Sequence, residues 1–166
     1  MLENVQKELN AFAKYVISQS RANLTRSKKN SSKQLYNSLD SDLKVYENSF
    51  SLSFLMEDYG VFQDKGVSGV KKKYNTPYSY TTKMPPPSKM DKWIVRKGIA
   101  PKDDKGKFIS RKSLQFMIAR SIFNNGIKPS LFFTKPFKKA FKNLDKDIVK
   151  AFKLDVEQLL ETTINN

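Results

Sequence analysis

The chain has 166 residues, about the length of one ordinary domain, and is strongly basic: 31 Lys and Arg against 16 Asp and Glu leave a net charge of +15. It contains no cysteine and no histidine. Disulfide scaffolds, thiolate nucleophiles, Ser-His-Asp triads, zinc ribbons and His-ligated iron are thereby excluded, and composition points to binding or structure rather than catalysis.

The first element reads as a helix, because Leu2, Val5, Leu9, Phe12, Ala13, Val16 and Ile17 recur at three- and four-residue steps and form one apolar stripe. The stripe dissolves after Leu24 into a polar, basic connector over 25–33. From Gln34 the period changes to two. Phe50, Leu52 and Phe54 alternate with Ser49, Ser51 and Ser53, so two antiparallel strands are expected over 43–46 and 49–56, with a turn at Glu47-Asn48. A two-stranded hairpin is marginal alone, so it must pack on helices or extend a partner's sheet.

A short helical turn is expected to stop at Gly66, and residues 67–87 show neither period. The Met84-Pro85-Pro86-Pro87 run makes the end of that stretch stiff and extended. Ser88, with Asp91 three residues on, is expected to cap a short helix through Trp93 that ends before Gly98. Residues 101–107 form a charged turn, and Ser110 caps a longer helix ended by Asn124-Asn125-Gly126. Ser130-Leu131-Phe132-Phe133 reads as a short buried strand or an anchor. Thr134 and Pro136 then open the last helix, whose stripe from Phe137 through Phe141, Leu144, Ile148 and Phe152 to Leu159 is read as core throughout.

The expected fold is therefore α+β, a single domain over 1–166. A small antiparallel sheet is packed by the N-terminal helix and a long C-terminal helix, and a long basic insertion carries two further helices. Within the insertion, residues 67–110 are expected to be an extended basic arm and the first site of proteolysis in the free chain. No apolar run approaches the roughly 20 residues of a membrane span. The opening Met1-Leu2-Glu3-Asn4 lacks the basic and apolar regions of a secretory leader, so a cytoplasmic setting away from membranes is expected.

Two groups of residues are candidates for contact. Lys71, Lys72, Lys73, Lys83, Lys89, Arg96, Lys97, Arg111 and Lys112 concentrate charge in the middle third and are interleaved with Tyr74, Tyr78, Tyr80 and Trp93. Several such charges on one surface bind phosphates, and the rings can stack on unpaired bases, so DNA or an acidic protein is the expected partner. No sequence-reading motif accompanies them. Phe50, Leu52, Phe54, Pro85, Pro86, Pro87 and Trp93 are candidates for a subunit interface. Glu57, Asp58 and Asp64 lie close in sequence, but no metal-loop spacing surrounds them. They read as solvated charges, and neither catalytic residues nor a cofactor or metal is expected.

The order of motifs is informative. Ser32-Lys33-Gln34-Leu35-Tyr36-Asn37-Ser38-Leu39 leads into the hairpin, and Tyr59-Gly60-Val61-Phe62-Gln63-Asp64-Lys65-Gly66 follows it. Gly126-Ile127-Lys128-Pro129-Ser130-Leu131-Phe132-Phe133 then leads into Phe137-Lys138-Lys139-Ala140-Phe141 and the last helix. This arrangement resembles the head–tail joining or tail-completion (neck) proteins of tailed bacteriophages. Leu35, Ser38 and Leu39 match that family's first segment, Tyr59 and Gly66 its second, and Pro129, Phe132 or Phe133, Pro136 and Ala140 its third. The insertion over about 67–125 is longer than in simple members.

The resemblance implies a structural virion protein, assembled in the host cytoplasm as a homo-oligomeric ring, a hexamer or dodecamer, between portal or connector and tail proteins. It carries over no catalytic residues. Six copies at +15 each would carry +90, which requires counterions, acidic neighbours or genomic DNA in the lumen. The alternative from charge alone is a small basic protein that binds nucleic acid without sequence specificity.

Overall fold

The computed structural model describes residues 2–164 and has the expected α+β composition: six α-helices and one two-stranded antiparallel sheet among those residues. Where one domain with an arm over 67–110 was expected, the chain divides into two compact units. The first is discontinuous, combining residues through Glu57 with those from Phe132 onward; the second is Asp58–Leu131.

In the first unit, α1 (Glu3–Arg26) runs antiparallel to α6 (Thr134–Ile164) and buries Val5, Phe12, Ala13 and Val16 of the expected stripe; Leu2, Leu9 and Ile17 are half-buried, and the buried face continues through Ser20 and Leu24. After the connector, where the period was expected to change, an unforeseen short helix, α2 (Gln34–Ser38), has its Leu35 buried with Leu39 and Phe132 against Leu24. Arg21 fastens it, its Nε donating to the Tyr36 carbonyl at 3.1 Å and its Nη2 to the Leu39 carbonyl at 2.9 Å. Carbonyls at a helix end have no intrahelical donor, and the guanidinium supplies one.

Strands β1 (Asp40–Val45) and β2 (Phe50–Leu55) pair in the register Leu43 opposite Leu52 and Val45 opposite Phe50. The turn falls at Glu47-Asn48 as expected, with the Tyr46 N–H donating to the Ser49 carbonyl at 2.9 Å. β1 begins three residues earlier than its apolar residues suggest, because Asp40 and Asp42 occupy the exposed face. Phe54 turns inward. Its ring meets Phe12, Phe133 and Phe137 edge-on, with centroids 6.0, 5.2 and 5.8 Å away. Such aromatic pairs add about 0.5–1.5 kcal/mol each beyond the area they bury.

The second unit contains α3 (Gly60–Lys65), α4 (Asp91–Lys97) and α5 (Arg111–Asn125). Ser110 caps α5 as expected, its Oγ accepting from the Ser113 N–H at 3.2 Å. Ser88 does not cap α4. It lies in a 3-10 turn (Pro87–Met90) that leads into the helix, and Asp91 turns instead to Arg111.

Residues 67–80 have no period because they form a ladder of single bridges. Val67 exchanges backbone hydrogen bonds of 2.9 and 2.7 Å with Ile127, while the Ser68 N–H donates to the Tyr78 carbonyl and the Ser68 carbonyl accepts from the Tyr80 N–H, at 2.8 Å each. The backbones approach so closely that a Cβ on Gly69 would collide with the Asn124 carbonyl, and one on Gly126, at φ +70°, with that of Val67.

Candidate functional site

Charge is divided unequally. Asp58–Leu131 holds sixteen Lys and Arg against five Asp and Glu, so +11 of the chain's +15 lies in the second unit. Lys71, Lys72, Lys73, Lys83, Lys89, Arg96, Lys97, Arg111 and Lys112 are all in this unit, and all are exposed. One is already engaged. Arg111 grips Asp91 through two parallel bonds, Nε to Oδ1 at 2.6 Å and Nη2 to Oδ2 at 2.7 Å, and joins the first residues of α4 and α5. The hydrogen bond from that guanidinium, with lesser help from Gln115, holds the Asp91 carboxyl below the usual aspartate range. Lys72 extends over the Tyr74 ring, with Nζ 5.7 Å from its centroid.

Beside the bridged ladder lies an open groove of about 620 Å³. Tyr59 and Phe62 come from α3 and the turn before it, Tyr78 and Tyr80 from the ladder, and Val67 and Ile127 form its floor. Phe62 and Tyr78 meet edge to face with centroids 4.7 Å apart. Tyr80 leans on Phe123 at 6.1 Å, and burial pushes its phenol above the ordinary tyrosine value. Tyr78 and Tyr80 stand out in the sequence for their basic neighbours, but nothing local signals that the ladder brings Tyr78 against Phe62 of α3 and Tyr80 against Phe123 of α5.

The expected interface residues separate. Phe50 and Leu52 are half-buried on the inner face of the hairpin, and Phe54 belongs to the aromatic cluster of its own unit. Pro85 and Pro87 are half-buried in the second unit, whereas Pro86 and Trp93 are exposed.

The last helix differs most from expectation. Its stripe is not all core: Phe141 is 57 % exposed, Phe152 50 %, Leu159 64 % and Leu160 55 %. At 3.6 residues per turn Phe141, Phe152 and Leu159 stand roughly 60° further round α6 than Phe137, Leu144, Ala151 and Asp155, which are buried or half-buried, and Leu160 lies about 100° beyond them.

Asp155 is a buried acid that no sequence signal marks. The Asn4 N–H and Asn4 Nδ2 each donate to its Oδ1 at 2.9 Å, and the Val5 N–H donates to Oδ2 at 3.0 Å. Burial pushes this carboxyl up, but the bonds from Asn4 and Val5 outweigh it and leave Asp155 below the ordinary aspartate value.

Of the three acids expected to be solvated charges, Glu57 accepts from the Gln34 amide at 3.2 Å, whereas Asp64 is buried instead, its backbone carbonyl accepting from the Leu131 N–H at 2.9 Å. Among the described residues no three acids cluster to hold a metal ion, and no helix is long and apolar enough to cross a membrane. Comparison with protein-family models finds no match, and comparison with curated proteins and with solved structures finds none either.

Proposed function

We propose that the protein is a non-enzymatic structural component of a tailed-bacteriophage particle, a neck or tail-completion subunit that assembles with copies of itself into a ring beside the portal or connector. The observation that carries this reading is the uncovered apolar face of α6. Burying a large apolar side chain is worth about 1.5–3 kcal/mol, so a row of three at least half-exposed, Phe141, Phe152 and Leu159, leaves a substantial driving force unused within one chain. Each strand of the ribbon also has only one neighbour among the described residues, so each keeps an open edge to which another chain could add. The viral setting is supported by the order of segments at 32–39, 59–66 and 126–133.

Light scattering on the purified chain and negative-stain microscopy test the reading. The expected result is a closed ring, or assembly with portal or tail proteins. Replacing Phe152 and Leu159 by Asp should release folded monomers with an unchanged circular-dichroism spectrum. A chain that stays monomeric at high concentration and is absent from particles overturns it.

A further inference from the structure

We propose that the groove of the second unit binds single-stranded nucleic acid without sequence specificity, with unpaired bases stacked on its aromatic walls and phosphates held by the surrounding lysines. The argument begins with charge complementarity. Residues 66–90 contain five lysines and no acid, and exposed Lys128 follows the lining residue Ile127; the acids next to lining residues are exposed Asp58 beside Tyr59 and buried Asp64 beside Gln63. A polyanion is therefore attracted to this part of the molecule, because the lysines of 66–90 and Lys128 outnumber the one exposed carboxylate, Asp58, that adjoins the lining.

The walls then choose among polyanions. Tyr78 and Phe62, held nearly perpendicular at 71°, present aromatic surface from two directions, and Tyr80 adds a third ring. A duplex keeps its base faces stacked on one another and has nothing to offer such walls beyond its phosphates. A single strand supplies bare π-faces, and aromatic stacking accepts any base. The side-chain amide of Gln63, which also lines the groove, makes no hydrogen bond among the described residues and is available to a base edge. This inference rests on the second unit alone, so it stands or falls separately from ring assembly.

The test is fluorescence anisotropy of the full chain with a labelled oligothymidine of about 20 nucleotides and with a duplex of equal length, between about 0.05 and 0.3 M salt. The single strand should bind about tenfold or more tighter than the duplex. The double substitution Tyr78→Leu with Tyr80→Leu should weaken single-strand binding by about tenfold and leave duplex binding unchanged. If that variant's circular dichroism departs from the parent's, Tyr80→Leu alone carries the comparison. Replacing Lys71, Lys72 and Lys73 by Ala should flatten the salt dependence. Equal affinity for the two nucleic acids, indifference to the tyrosine substitutions, or absence of binding overturns the proposal. So does preferential uptake of an acidic proline-rich peptide, which would make the groove a peptide site.

Discussion

Asp155 does for α1 what an N-cap side chain does for most helices. Asn4 and Val5 are the second and third residues of a helix whose own N-cap, Leu2, offers no side-chain acceptor, and the carboxylate from α6 receives both of their N–H groups. Its negative charge also sits where the helix dipole favours an anion. Asp155→Ala should destabilise the chain by about 1–3 kcal/mol, measured by denaturant unfolding, with Asp155→Asn losing less. Because the folded carboxyl lies below its ordinary value, the stabilisation is complete above about pH 4 and is lost as pH falls through the lowered value. A stability profile that is flat through this acid range in the parent, or that keeps its shape in Asp155→Ala, would show that the carboxylate does not fasten the two helices. Nothing near Asp155 in the sequence announces this role. It sits three residues after Phe152 and resembles any surface acid of an amphipathic helix, while its partner is 151 residues away.

At the scale of elements, local signals served where the cause was local. The period of α1, the alternating serines of β2, Ser110 as a cap and Asn125-Gly126 as a stop all act within one or two turns of chain, and each element stands where they put it. They failed where pairing is distant. Residues 67–80 looked unstructured because each bridge there involves one residue, too few to print a period, and its partners are at 123–127 or across a turn. The stripe of α6 was legible as apolar, but periodicity does not tell how much of a wide stripe its own chain will cover.

The ladder also narrows the expected proteolysis within 67–110. Lys71 and Lys72 have their N–H groups bonded to the Asn124 carbonyl, at 2.9 and 3.1 Å, whereas the exposed turn at 102–108 is held by bonds among its own residues. Limited trypsin digestion followed by mass spectrometry should cut after Lys105 or Lys107 before it cuts within 71–73. The reverse order would mean that the ladder opens more readily than the turn.

Across the whole molecule, the two units divide the labour that composition blurred. A net charge of +15 appears in the sequence as a basic middle third, but only the fold shows that +11 belongs to one compact body with its own ladder and helices. The first unit keeps a self-contained interior of Leu24, Leu35, Leu39 and Phe132 beside its aromatic cluster. Deleting Asp58–Leu131 and joining Glu57 to Phe132 through a short Gly-Ser linker should therefore leave a folded, helix-rich protein with a cooperative thermal transition by circular dichroism. A featureless melt would show that the first unit cannot hold its helices without the second.

The chain leaves and re-enters the first unit at residues that its fold holds close. In the second unit the exit is bonded to the entry, Leu131 N–H to Asp64 carbonyl, and in the first Met56 packs against the cluster containing Phe132. Within each unit the two ends of the break therefore lie close together, a geometry that a spliced segment of different length or charge can span at little cost in loop closure. Such a cassette lets one scaffold acquire new contacts while its own geometry stays put.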